Sequence, residues 1–259
     1  MKLLFIGDVF GAPGRQAIQE LLQIIKTERA IDVVIANGEN VSHGRGITQK
    51  TAGILFDHGV DVITTGNHAF DIEDAHSYFE SEKKILRPAN YKPESPGRGH
   101  VIVDVLGGIQ LAVINLIGRI HMEPADCPFA CADRLLEDLK NQSDILFVDM
   151  HAETTSETRA MGWYLDGKVA AVLGSHTHVP TADEEVLPQG TAYLTDAGMT
   201  GPYRSVIGME IEPVLRKFRT GLRSRFKPAT EDIRLCGAVV DIDESTGLAQ
   251  NIERIDKRL

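Results

Sequence analysis

The chain has 259 residues, enough for one large α/β domain, with 42% hydrophobic and 25% charged residues, the balance of an ordinary water-soluble globular protein. Its formal net charge of −10 argues against general electrostatic binding to DNA or RNA but leaves room for metal-binding carboxylates and a phosphorylated small substrate. Three cysteines, Cys127, Cys131 and Cys236, are too few and wrongly spaced for a disulfide framework or a four-cysteine zinc site.

Reduced thiols fit a cytoplasmic setting. The first apolar run, Leu3 to Ile6, is cut at once by Asp8, which is not the pattern of a signal peptide. No apolar run approaches the roughly 18 residues of a membrane helix.

In chain order, Lys2 to Ile6 reads as a buried strand leading into Gly7-Asp8-Val9-Phe10-Gly11. Gly14 to Lys26 has helical spacing, with Ile18, Leu21, Leu22 and Ile25 on one face. Asp32 to Ala36 is a second strand, followed by Asn37-Gly38-Glu39-Asn40. Thr48 caps a helix that runs to His58. Asp61 to Thr65 is a third strand, followed by Gly66-Asn67-His68, and Ile72 to Phe79 is helical. Strand, polar loop and helix recur three times, which predicts a largely parallel sheet under covering helices. Ligands bind at the carboxyl ends of such strands. Asp8, Glu39, Asn40, Asn67 and His68 are therefore expected to converge.

The middle differs. Pro88 to Gly99 reads as an extended loop, and Val101 to Val105 and Ile109 to Ile117 as strands joined by Gly107-Gly108, a hairpin signal. That pair predicts an antiparallel portion or a second sheet. Cys131 to Leu139 is a short helix, and Asp144 to Asp149 a buried strand ending at His151. Thr154 or Thr155 caps a helix to Leu165. Val169 to Leu173 is then a buried strand that runs into Gly174-Ser175-His176-Thr177-His178. Two imidazoles one residue apart suit metal ligation. On an extended strand they would share a face; in a loop they can serve two adjacent ions. Short strands at Glu185 to Leu187 and Ala192 to Thr195, a helix over Glu210 to Arg219, and strands at Ala238 to Ile242 and Ala249 to Ile255 complete the reading. No repeat or linker interrupts it, so a single domain over 1–259 is expected.

The strand-end residues are Asp8, Glu39 with Asn40, Asn67 with His68, His151, and His176 with His178. This is oxygen and imidazole chemistry suited to Mn, Fe or Zn, and it is too many donors for one closed tetrahedral site. In this order the set resembles the calcineurin-like metallophosphoesterases, whose motifs run DxH, GDxxD, GNH, H and GHxH. Val9-Phe10 departs from the DxH pattern, and Glu39 stands where the bridging aspartate would be. These departures are similar to the YmdB-like branch, as are GDVFG, NGEN, TTGNH, GSHTHV and the loop from Asp196 to Pro202.

The resemblance implies a four-layer α/β/β/α sandwich and two transition-metal ions, Fe or Mn, with Zn as an alternative. One ion would be held by Asp8, Glu39, Asn40 and His178. The other would be held by Glu39, Asn67, His151 and His176, with Glu39 bridging. Attack by a metal-bridging hydroxide follows, and His68 protonates the leaving oxygen. The implied substrate is a small phosphate diester, a 2′,3′-cyclic nucleoside monophosphate, rather than DNA or a membrane; a homo-oligomer is left open. A phosphomonoesterase or protein phosphatase, and a non-catalytic nucleotide- or metal-sensing regulator, are the alternatives. The remaining histidines, His43, His58, His76, His100 and His121, read as surface residues, and the six basic residues between Arg216 and Lys227 as a solvated face or an anion-steering patch.

Overall fold

A computed structural model describes residues 1–105 and 107–259. Two six-stranded mixed sheets face each other, with helices on both outer faces. The first sheet has the order β10-β11-β1-β2-β3, with β12 paired to β11; the second has β4-β5-β6-β7-β9-β8. In the first, β1 (Lys2–Ile6), β2 (Val33–Asn37) and β3 (Val62–Thr64) are parallel, and β11 (Ile233–Asp243) runs antiparallel to β1, with β10 (Gly201–Pro202) and β12 (Leu248–Arg258) beside it. In the second, β5 (Ile109–Ile117), β6 (Ile145–His151), β7 (Ala171–Ser175) and β9 (Ala192–Leu194) are parallel. The edge strands β4 (His100–Val105) and β8 (Glu185–Val186) are antiparallel.

The two-residue side-chain period of a strand explains the layering. Leu3 and Phe5 point between the sheets, where they meet Val113, Phe147 and Leu173, with the Phe5 and Phe147 rings 5.3 Å apart. Leu4 and Ile6 point outward, onto Ile18, Leu22 and Ile25 of α1 (Gly11–Arg29) and Leu55 of α2 (Gln49–Asp57). On the far side Ile114, Val148 and Val172 pack under Leu135 and Leu139 of α4 (Pro128–Leu139) and Met161 and Leu165 of α5 (Thr155–Leu165). The result is the expected α/β/β/α sandwich. No helix among the described residues is long and apolar enough to cross a membrane.

Local expectations hold with adjusted bounds. Thr48 caps α2 through a reciprocal capping box with Thr51. Val105 faces Ile109 across the glycine turn, as the hairpin signal requires. The helix expected over Ile72 to Phe79 is a 3₁₀ turn, Glu73–Ala75, followed by α3 (His76–Ser81). Thr154 precedes α5 but makes no capping bond, since its hydroxyl is buried without a partner. Of the five histidines read as surface residues, His43 and His121 are exposed. His58, His76 and His100 are half-buried, and two of these bond backbone carbonyls: His58 on Ile54, His76 on Phe70.

Candidate metal centre

The carboxyl ends of β1, β2, β3, β6 and β7 meet at one edge of the sandwich, and every predicted donor lies there. Asp8 follows β1, Glu39 and Asn40 follow β2, Asn67 and His68 follow β3, His151 ends β6, and His176 and His178 follow β7. Glu39, His151 and His176 place one ligand atom each within 4.8 Å of one another. Around His151 Nε2 stand His176 Nδ1 at 3.0 Å, Asn67 Oδ1 at 3.1 Å and Glu39 Oε1 at 3.3 Å. Donors bonded to one ion at about 2.0–2.2 Å are separated by about 3 Å, so these spacings could hold an ion with little rearrangement.

The second group gathers on the other side of Glu39. Asn40 Nδ2 lies 3.2 Å from Glu39 Oε1 and 3.1 Å from His178 Nε2, and His178 Nε2 lies 3.8 Å from Asp8 Oδ1. A half-turn of the Asn40 amide would present oxygen instead of nitrogen. Asp8 is fully buried, and while its Oδ2 accepts the His176 N–H at 3.0 Å, its Oδ1 has no partner. A buried carboxylate oxygen without a donor is costly unless a cation meets it. That orphaned oxygen, together with the hard oxygen and imidazole donors around it, fits metal ions.

Backbone strain sets the two histidines apart. His176 and His178 adopt φ of 112° and 66°, outside the range usual for non-glycine residues. The turn is held by Asp196, which accepts the Thr177 N–H at 2.9 Å, the Thr177 hydroxyl at 2.8 Å and the Gly198 N–H at 2.7 Å. One ring is thereby sent toward His151 and the other toward Asp8. The close fit extends to Gly66, where a Cβ would lie 2.1 Å from His151 Nε2 and 2.5 Å from Glu39 Oε2.

Ring orientations are fixed from behind. His151 Nδ1 meets Ser175 Oγ at 2.9 Å, and Ser175 donates to Asp149 Oδ1 at 2.7 Å. Asn37 Nδ2 also reaches Asp149, at 3.2 Å. His176 Nε2 meets Glu153 at 2.9 Å, and His178 Nδ1 meets the Ile207 carbonyl at 3.0 Å. Each ring thus turns its other nitrogen inward. His68 lies just outside this group. Its N–H donates to Glu39 Oε2 at 3.0 Å and its Nδ1 meets Asp71 Oδ2 at 2.7 Å, with Arg45 on the same carboxylate.

The electrostatics follow from burial and pairing. Burial opposes the charge on Glu39, but the imidazolium of His151 overrides it and holds the carboxyl well below its usual range. Burial likewise opposes protonation of His151, and Glu39 overrides that and raises it. Burial and the neighbouring His151 charge push His176 down to about 4. Burial pushes Asp149 up to about 6. Sequence reasoning missed the roles of Asp71, Arg45, Asp149 and Glu153, which are polar groups without a motif of their own, and of Ser175, which lies inside the GSHTHV motif. Asp71, three residues after His68 on the same turn, is the one that spacing alone signals.

The centre forms the floor of a cleft of ≈ 400 Å³, walled by Phe10, Val206, Ile207, Met209, Phe218 and Phe226, with Lys217 beside them. Lys217 belongs to the basic stretch that starts at Arg216 on α6 (Ile211–Thr220), so one member of that stretch faces the site.

Comparison with known proteins places the chain in a family. The chain is 46% identical over 255 residues to a Bacillus subtilis 2′,3′-cyclic-nucleotide 2′-phosphodiesterase, covering 98% of this chain and 96% of the relative. A solved Thermus thermophilus protein of undescribed activity superposes with a TM-score of 0.93 at 41% identity, covering 100% and 99% of the two chains. A solved Mycoplasma pneumoniae protein described as a novel phosphatase superposes with a TM-score of 0.93 at 34% identity, covering 100% and 93%. The profile of the YmdB-like proteins matches residues 4–255, and the chain belongs to that family.

Proposed function

We propose that this phosphoric diester hydrolase acts on 2′,3′-cyclic nucleoside monophosphates, with a dinuclear metal centre and His68 as the general acid. The observation that carries this reading is the double donor set astride Glu39, with a separately oriented imidazole at its edge. Asp8, Glu39, Asn40 and His178 would hold one ion, and Glu39, Asn67, His151 and His176 the other; iron or manganese suits these donors, with zinc as an alternative. When bound, two such ions supply Lewis acidity toward the phosphoryl oxygens and an activated water.

The chain's own residues supply the rest. Asp71 holds His68 by Nδ1, and Nε2, which lies 3.3 Å from the Asn67 amide nitrogen, is the nitrogen that would deliver a proton to the departing sugar oxygen. In the overall reaction water adds to phosphorus, one ring P–O bond breaks, and the released alkoxide leaves as a hydroxyl. An alkoxide is a poor leaving group, so a positioned acid is worth about 10²–10⁴-fold. The aromatic and aliphatic wall of the cleft accommodates a nucleobase and excludes water from the reacting side. The resemblance to a relative named for the 2′ ester points to a nucleoside 3′-monophosphate product.

The test is turnover of metal-reconstituted protein on 2′,3′-cyclic nucleotides, 3′,5′-cyclic nucleotides and nucleoside monophosphates, with products resolved by chromatography. Preferential conversion of 2′,3′-cyclic substrates to one monophosphate supports the reading. Hydrolysis of monoesters alone would replace it with a phosphomonoesterase, and tight nucleotide binding without turnover would replace it with a regulatory role.

A further inference from the structure

A second cleft, of ≈ 490 Å³, shares no lining residue with the metal centre. It lies where the segment before β4 passes α4. Leu86 and Arg98 form an isolated parallel bridge, beside which the Arg87 N–H donates to the Arg98 carbonyl at 2.9 Å. Arg87 and Arg98 line the cleft together with Tyr91 and His100, and Arg134 of α4 lines it from the helix.

Arg87 is only 8% exposed. Its Nη1 donates to the Pro88 carbonyl at 2.8 Å, and its Nε is buried with no partner. The Nε of Arg98 is buried and unpartnered as well. Among the described residues, Arg87, Arg98 and Arg134 form no salt bridge, although seven other arginines do. Arg134 reaches only the Cys131 sulfur, at 3.4 Å. Two carboxylates lie in the lining. Asp126 is engaged by Lys92 at 2.6 Å, and Asp138 is exposed. Three guanidinium groups thus face one free carboxylate, on a chain whose net charge is −10.

A guanidinium withdrawn from water without a counter-charge is costly, and its planar fork is matched to phosphate and carboxylate oxygens. Burial holds the Arg87 pKa below its usual value, and burial with the Arg98 and Arg87 charges holds His100 below its own. Both groups would gain from an anion. We propose that this cleft binds a phosphate group, clamped by Arg87 and Arg98 and closed by Arg134. The uncompensated charge matches a dianion better than a carboxylate. Tyr91 lines the same cleft, so the phosphate can be free or the end of a nucleoside monophosphate.

The site is independent of the phosphodiesterase reading, and each can fail without the other. Equilibrium dialysis of radiolabelled inorganic phosphate against the metal-loaded full chain tests it, with turnover of a phosphodiester followed in parallel. The expected result is a saturable class of sites that survives treatment with EDTA and weakens by about tenfold or more in Arg98→Ala and in Arg134→Ala, the loss typical of one charged hydrogen-bond donor. Diester turnover should be unchanged in both variants. A nucleoside 3′-monophosphate binding more tightly than phosphate identifies the ester as ligand, and equal binding identifies free phosphate. Arg87→Met keeps the buried aliphatic volume, so it should melt no lower than the parent in anion-free buffer and lose the phosphate-dependent rise in melting temperature. Phosphate binding that vanishes with EDTA, that is unaltered by both arginine variants, or that acetate matches at equal concentration overturns the proposal.

Discussion

Gly66→Ala probes the metal centre without removing a donor atom. The new Cβ would stand 2.1 Å from both Cδ2 and Nε2 of His151 and 2.5 Å from Glu39 Oε2. Carbon atoms in contact rest about 3.5–4.0 Å apart, so the ring must retreat by more than 1 Å or the loop must move by as much. His151 cannot retreat freely, because Ser175 and Asn37 hold its far side. Overpacking of this kind costs about 1–3 kcal/mol of stability, and displacing a reacting group by 1 Å costs about 10²-fold in rate. The variant should fold, bind less metal by elemental analysis, and turn over a cyclic diester at least about 10²-fold more slowly. Gly53→Ala in α2 is the control. Its Cβ meets nothing within 4 Å, so the change should leave activity intact and stabilise the helix by about 0.5–1 kcal/mol. A Gly66→Ala protein with parental metal content and parental turnover would show that the apposition of Gly66, His151 and Glu39 is not the reacting geometry.

Other perturbations test the remaining roles. His68→Ala should keep its metals and lose about 10²–10⁴-fold in turnover, less with activated aryl esters that need no proton; loss of metal content instead would make His68 a ligand. Asp71→Asn should lower kcat with little effect on metal content, because the imidazole loses its charged orienting partner; an unchanged kcat refutes that role. In metal-free protein His151 is raised to about 9 against 6.5 for a free imidazole, so its contribution is full below pH 6.5 and is lost as pH rises through 9. Urea melts of EDTA-treated protein should show stability falling across that window, but not in His151→Gln. A flat profile in the parent contradicts the buried Glu39–His151 pair. Burial pushes the Cys236 thiol up to about 12, so alkylation of native protein near pH 8 should spare Cys236; its modification at the rate of Cys127 refutes the assignment.

The alternation of buried strands with polar loops made the first sheet legible. Leu3 to Ile6, Val33 to Ala36 and Val62 to Thr64 are buried at every position and are joined by helical crossovers, so parallel pairing follows from local pattern. The last third was less legible. Strand β11 spans Ile233–Asp243, well beyond the apolar run Ala238 to Ile242, because its ends are stabilised by pairing with β10 and β12 rather than by their own hydrophobicity. The donors were legible for the same reason as the strands: each sits at the end of a buried run or within a few residues of it. The groups behind them were not, because Asp149 and Ser175 lie within strands and read as interruptions of an apolar pattern. Only the register of β6 with β7, which sets His151 against Ser175, brings them together.

The His176-Thr177-His178 step shows how a local pattern acquires two destinations. On an extended strand its rings would point the same way and compete for one ion. Instead, β7 ends at Ser175, and the next residues take conformations that L-residues avoid. Such strain persists only where the surroundings over-determine it. Asp196 supplies that constraint with three short hydrogen bonds, and its own carboxyl is pushed up to about 7 by burial and by Asp8. The loop from Asp196 to Pro202 in turn leans on the Asp8 segment: the Thr200 N–H donates to the Asp8 carbonyl, and the Gly198 oxygen fills the space a side chain at position 7 would need. The loop thus joins the carboxyl end of β1 to the turn after β7, so the same contacts that bend the two histidines apart also position Asp8. A change at Asp196 should therefore disturb both halves of the centre together, whereas a change at Glu153, which touches His176 alone, should disturb only one.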